Sequence, residues 1–199
     1  MDSCRTPEEQ AARWRAAGIP DGYTVSRLLY NGAAQVIIAE LRGLKDGFLP
    51  ERLVMRPTSA EKYEPIGCPD RDVSFESAAT CEKEPILVFN SKSWQRNPEG
   101  RRSSANWGGL YVCNVQTREL NLCVSGENLI KPEPYDERAW ISEVLGLSDD
   151  ATCAYVKVAF GKHFKDGESQ SVRYDYYLAR LDLKTRDVDL VSQLKNLWF

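Results

Sequence analysis

Apolar and β-branched residues along this chain come in short runs separated by turn-forming residues, the pattern of strands. The start is the exception. Thr6-Pro7-Glu8-Glu9 supplies a capping residue, a proline at the first helical position and a glutamate three residues after the cap. A short helix is expected from there to about Ala17, with Gly18 as its stop. Ala11 and Trp14, with Ala12 and Ala16 nearby, give it a narrow apolar face that can dock on a sheet as a lid. Strands are then expected over 23–30, 34–41 and 52–55, with Asn31-Gly32 as a hairpin turn between the first two. Further strands are expected over 73–77, 86–90, 110–115, 120–124, 141–147, 154–160, 173–183 and 188–192. Nothing after Gly18 repeats at helical spacing.

An internal repeat sharpens this reading. LYVCNVQTRELNL (110–122) lines up without a gap on LARLDLKTRDVDL (178–190), an offset of 178 − 110 = 68, with Thr-Arg identical at the turn. Upstream, Ala79-Thr80-Cys81 and the apolar run 86–89 correspond to Ala151-Thr152-Cys153 and 155–160, at an offset near 151 − 79 = 72. Downstream, Val124-Ser125 followed by Asn128-Leu129 resembles Val191-Ser192 followed by Asn196-Leu197. The chain divides accordingly into a helix at 1–20, a degenerate first sheet unit at 21–70, and blade-like units at 71–130 and 131–199.

With its Leu-Asp-Leu-Lys-Thr-Arg-Asp string, and Leu147-Ser148-Asp149-Asp150 standing before the preceding strand, this unit resembles a blade of the TolB-like or PD40-type β-propellers. The resemblance covers about 125 residues. It implies a mainly β fold of antiparallel blade-like sheets, a partial or open propeller with a short N-terminal helix. Arg118 and Arg186 stand where that family usually has glycine, so either those hairpins use another turn or each accepts strain of about 1 kcal/mol. Propellers close with roughly four to eight blades. Two clear units and a degenerate one do not close a ring alone. A piece of a longer propeller, a ring completed by copies, or an open stack capped by the helix remain, and exposed strand edges favour self-association in each.

Composition narrows the partners. The net charge of −3, from 26 basic and 29 acidic residues, provides no overall positive field for nucleic acid or an anionic membrane. Met1-Asp2-Ser3-Cys4-Arg5 opens a charged stretch instead of a signal core, and no run approaches the ~18 apolar residues of a membrane helix. A cytoplasmic location is expected unless a signal was removed before the numbering. Six cysteines, at 4, 68, 81, 113, 123 and 153, could pair in an oxidising compartment, but none forms C-x2-C. Buried cysteines as small hydrophobes are the expectation, with no metal and no cofactor.

Candidate chemistry is sparse. The only histidine, His163, lies in Gly161-Lys-His-Phe-Lys-Asp-Gly167, read as a glycine-bounded polar loop, with no nucleophile assignable beside it. Asp149-Asp150 and Asp187-Val188-Asp189 could do acid-base work but fit turns, where aspartate bonds its local backbone. Tyr174 and Tyr176 should share one strand face and Tyr177 the other. Residues 91–109 are the best binding surface, because Lys92, Arg96, Arg101 and Arg102 are interleaved there with Trp94 and Trp107. His163 belongs to the second candidate loop, 161–171. The expectation is a non-enzymatic binding or assembly module whose inter-strand loops contact a protein partner or another copy. A propeller-like hydrolase or sugar-acting enzyme, with acid-base residues at one end of the blades, is the alternative.

Overall fold

The computed structural model describes residues 6–43, 52–66, 73–96, 102–166 and 169–194. Helix α1 (Pro7–Ala16) carries a complete capping box: Thr6 Oγ1 accepts from the Glu9 amide at 3.3 Å, and the Glu9 carboxylate accepts from the Thr6 amide at 2.9 Å. The strands are β1 (Tyr23–Asn31), β2 (Val36–Gly43), β3 (Arg52–Pro57), β4 (Glu64–Pro65), β5 (Val73–Thr80), β6 (Ile86–Arg96), β7 (Arg102–Asn114), β8 (Leu120–Val124), β9 (Ala139–Leu147), β10 (Cys153–Asp166), β11 (Ser169–Asp182) and β12 (Val188–Leu194). They form three four-stranded sheets, each an antiparallel meander in sequence order: β1–β4 (sheet I), β5–β8 (sheet II) and β9–β12 (sheet III). The fold is mainly β, as expected, with one short α-helix among the described residues and blade-like antiparallel sheets.

The sheets stack by burying alternate positions. Val156, Val158, Phe160, Ala179 and Leu181 of sheet III meet Val88, Leu110 and Val124 of sheet II. The other side of sheet II packs Leu87, Phe89 and Cys113 on Val36, Ile38, Leu53 and Met55 of sheet I. Trp14 of α1, with Ala17 and Ile19 just after it, covers Ala39, Leu41 and Val54 on the outward face of sheet I. Cys81, Cys113, Cys123 and Cys153 are buried free thiols within this packing, and burial pushes the Cys113 thiol up to about 11. Cys4 and Cys68 lie outside the described residues.

Polar latches set the direction of stacking. Asn31, fully buried at the end of β1, donates to Thr80 Oγ1 at 2.9 Å and to the carbonyls of Cys81 and Glu84 at 2.9 and 2.8 Å. Gly32 beside it leaves no room for a Cβ, which would lie 2.9 Å from the Glu82 carbonyl. The next latch is Asn90 with Ser77. Asn90 Oδ1 accepts from the Ser77 amide at 2.9 Å and hydroxyl at 2.6 Å, its amide donates to the Ile141 carbonyl at 3.1 Å, and Ser77 Oγ accepts from the Val144 amide at 2.6 Å. The Cys81 thiol donates to the Asp149 carbonyl at 3.2 Å. The turns after β1, β5 and β9 therefore lie side by side, at what we call the turn end. The β6–β7 and β10–β11 hairpins and the β8–β9 connection lie at the opposite, hairpin end.

Both repeat-related turns adopt one geometry. Asn114 Oδ1 accepts from the amides of Gln116 and Thr117, and Asp182 Oδ1 from those of Lys184 and Thr185. The amides of Arg118 and Arg186 then bond the carbonyls of Asn114 and Asp182 at 2.7 and 2.9 Å, with φ of +64° and +69°. The arginines thus take the left-handed conformation themselves, and Arg118 recovers an ion pair with Glu64 of sheet I. Arg186→Gly should raise unfolding stability by about 0.5–1 kcal/mol in urea titration, because glycine removes the left-handed strain at some entropic cost.

Candidate functional site

The hairpin end is built by strands that outrun their sheets. β6 and β7 pair as far as Arg96 with Arg102, and β10 and β11 as far as Asp166 with Ser169. Residues 91–109 and 161–171, read from the sequence as loops, are thus largely ladder-paired strand. Lys92, Trp94 and Arg96 stand on β6, and Arg102 and Trp107 on β7. Arg101 lies outside the described residues. The two hairpins belong to adjacent sheets and leave them at the same end.

His163 is a strand residue of β10, which corrects the loop assignment. Gly161, the glycine that suggested a loop, is there for close packing: a Cβ would lie 2.8 Å from Tyr174 Cε1 and 3.0 Å from Glu137 Cβ. Gly161→Ala should therefore lose about 1–3 kcal/mol of stability by overpacking, measured by urea denaturation. The ring of His163 is clasped by the β8–β9 connection. Its Nε2 lies 2.7 Å from Glu137 Oε1 and its Nδ1 3.3 Å from Asp136 Oδ2, and its backbone amide donates to Asp136 Oδ1 at 3.1 Å. The backbone bond from His163 is the main reason the Asp136 carboxyl sits below its ordinary range. Both ring nitrogens face carboxylates, and among the described residues no hydroxyl or thiol bonds the ring.

Beneath this clasp lies a satisfied polar cluster. The buried Tyr135 hydroxyl donates to Asp175 Oδ2 at 3.0 Å and stands 2.8 Å from the Tyr177 hydroxyl. Lys162 Nζ is 3.2 Å from Asp175 Oδ2 and lies over the Tyr135 ring at 5.6 Å. Desolvation pushes the Tyr135 phenol up. For Asp175 burial also pulls upward, but the bonds from Lys162 and Tyr135 outweigh it and hold the carboxyl below its usual value of 3.8. A depressed folded pKa stabilises the protein above the unfolded value and ceases to do so as pH falls through the folded value. The stability difference between wild type and Asp175→Asn should hold above the reference value of 3.8 and shrink below it, read as Tm against pH.

Beside the clasp is a cleft of about 300 Å³ lined by Gly126, Leu129, Lys131, Asp136, Glu137 and Arg138. Lys131 Nζ closes one side by donating to the Glu137 carbonyl at 2.6 Å and the Asp136 carbonyl at 3.3 Å. At the turn end Asp150 holds its turn as expected. The Asp150 carboxylate accepts from Ser148 Oγ, Thr152 Oγ1 and the Thr152 amide, which lowers it to about 2. The Asp149 carboxylate pairs with Lys83 at 3.5 Å, and Asp189, expected in a turn, stands on β12 and pairs with Arg180 at 3.6 Å. Among the described residues no group of three or more His, Cys, Asp or Glu side chains is placed to hold a metal ion. Among them, too, no helix is long and apolar enough to cross a membrane.

Sequence reasoning missed Asp136, Glu137, Tyr135 and Asp175. The first three lie in the Pro-rich segment after Ile130, which has no periodicity, and only the backbone pairing of Glu137 and Arg138 with Gly161 brings them to His163. No family model and no curated relative matches the chain. Among solved structures it is similar to the Dos1 propeller, with 10% identity and a TM-score of 0.48, over 98% of this chain and 50% of that one. It is also similar to a structure from a study of two prolyl endopeptidases, with 10% identity and a TM-score of 0.38, over 93% of this chain and 37% of that one. The chain thus spans half the length of the first and about a third of the second.

Proposed function

We propose that the chain is a non-enzymatic binding or assembly module, built of TolB-like blades, that contacts a protein partner or another copy of itself with the hairpin end of its sheets. The observation that carries this reading is the pair of long hairpins, β6–β7 and β10–β11, leaving adjacent sheets at the same end while the opposite end is tied down by the Asn31 and Cys81 bonds. A rigid sheet stack that presents elongated segments at one end is how β scaffolds commonly display recognition elements. In this reading Lys92, Trp94, Arg96, Arg101, Arg102 and Trp107 supply the contact surface of the first hairpin. His163 acts by fixing the base of the second through Asp136 and Glu137.

The residues that an acid-base mechanism would need are engaged otherwise. His163 is held between two carboxylates, Asp150 serves a turn and Asp149 pairs with Lys83. Alanine at Arg101, Arg102 and Trp107 together should abolish capture of the partner in a pull-down with the full chain. Unchanged capture removes the first hairpin from the site. Turnover of a hydrolase substrate panel that vanishes in Asp149→Asn or His163→Ala would replace this reading with the enzymatic one.

A further inference from the structure

The stack of sheets has two terminal faces, and they end differently. Helix α1 covers the outward face of sheet I. The outward face of sheet III has no such cover among the described residues. Across its strands it presents the rows Trp140–Ala159–Tyr176–Leu194, Glu143–Lys157–Leu178–Ser192 and Tyr155–Arg180–Asp189. Trp140 meets Tyr174 edge-on at 4.8 Å, and the Lys157 ammonium lies 4.8 Å from the Tyr176 ring centroid. Tyr155 is 38% exposed and Leu145, at a bulge beside it, is 49% exposed. Aromatic residues and arginine on one flat face are the composition of interface cores.

We infer that this face is an interface between two copies of the chain related by a two-fold axis. Charge selects the occupant. The face holds Lys157 paired with Glu143 at 3.9 Å and Arg180 paired with Asp189 at 3.6 Å, two cations and two anions. An acidic or a basic partner would gain nothing from so balanced a surface, whereas a second copy can exchange each pair across a two-fold axis. The net charge of −3 adds little repulsion between copies. Area agrees: without the hairpin segments 161–166 and 169–171, the four strands, about 4.8 Å apart, give a face on the order of 550 Å². Two such faces together reach the ~1,000 Å² of total buried area that a specific interface needs. The surface is separate from the hairpin end, and the inference does not rest on the hairpins' role.

The test is sedimentation equilibrium of the full chain up to about 100 μM, where a dimer with a Kd near 1 μM is almost complete. The unmodified chain should approach twice its 22.5 kDa mass. L145E/Y155K changes two exposed side chains and should keep the far-UV spectrum while weakening the dimer at least about 30-fold. Glu143→Lys should weaken it, and adding Lys157→Glu should restore it, while urea denaturation of the single variant, which reads the pair within one chain, should show a loss of less than about 1 kcal/mol. Alanine at Arg101, Arg102 and Trp107 should leave the dimer intact. A chain that stays at 22.5 kDa throughout, a dimer unaffected by L145E/Y155K, or a dimer lost only in the hairpin variant would overturn the inference.

Discussion

Asn90→Ala should destabilise the protein by about 3 kcal/mol, as read by urea denaturation at pH 7. Asn90 is fully buried, yet its bonds tie three strands of two sheets: β6 to the Ser77 amide and hydroxyl of β5, and β6 to the Ile141 carbonyl of β9. Removing the carboxamide strands the Ser77 amide and the Ile141 carbonyl without water, at about 1–3 kcal/mol for each. Ser77 Oγ, which accepts from Val144 at 2.6 Å, also loses the acceptor that orients its proton. Asn121→Ala is the control. It removes an exposed bond to Glu119 at 3.1 Å and should change stability by less than about 0.5 kcal/mol. A loss for Asn90→Ala no larger than the control would mean that sheets II and III do not depend on this latch.

The second large effect is expected at Phe160. Its ring is 1% exposed and meets the rings of Tyr135 and Tyr177 at centroid distances of 5.5 and 5.6 Å. Truncation to alanine should cost about 3–5 kcal/mol through lost burial and the cavity left behind. The consequence reaches the hairpin end, because Tyr135 packs on Phe160 and precedes the two carboxylates that hold His163. Near-UV circular dichroism should therefore lose tyrosine signal in Phe160→Ala even where the far-UV strand signal persists. Phe160→Leu, which keeps much of the volume, should lose clearly less.

Much of this architecture is legible in the sequence because burial on one or both faces imposes a pattern. The strand expected at 154–160 lies within β10, and its inward positions Ala154, Val156, Val158 and Phe160 are all buried, Ala159 being the one outward position that is buried too. Tyr174 and Tyr176 do share the outward face while Tyr177 turns inward, as alternation demands. The similarity of 110–122 to 178–190 corresponds to two turns with the same side-chain and backbone bonds. Arg118 and Arg186 hold these turns by accepting positive φ, an outcome that spacing alone left open.

The rest was hidden for identifiable reasons. Ser91-Lys92-Ser93-Trp94-Gln95-Arg96 contains one apolar residue, so a period of two has nothing to register, and the pairing of β6 with β7 is visible only in the backbone. Two glycines made residues 161–167 look like a loop, although Gly161 is small because Tyr174 and Glu137 crowd it. Asn31 reads as a turn residue, and so it is: its side-chain oxygen accepts from Ala34 at 2.8 Å. Its amide reaches 50 residues along the chain to the Cys81 carbonyl, which no local pattern encodes.

Site-specific photocrosslinking tests the central claim most directly. A benzophenone amino acid would be placed at the hairpin end, at Ser104 or Ser171, and at the turn end, at Glu82 or Asp149, and the chain irradiated in an extract of its own cells. The account predicts adducts with a protein, or with a second copy, from the hairpin-end positions and none from the turn-end positions. Adducts from Glu82 or Asp149 alone, or none from Ser104 and Ser171, would contradict it.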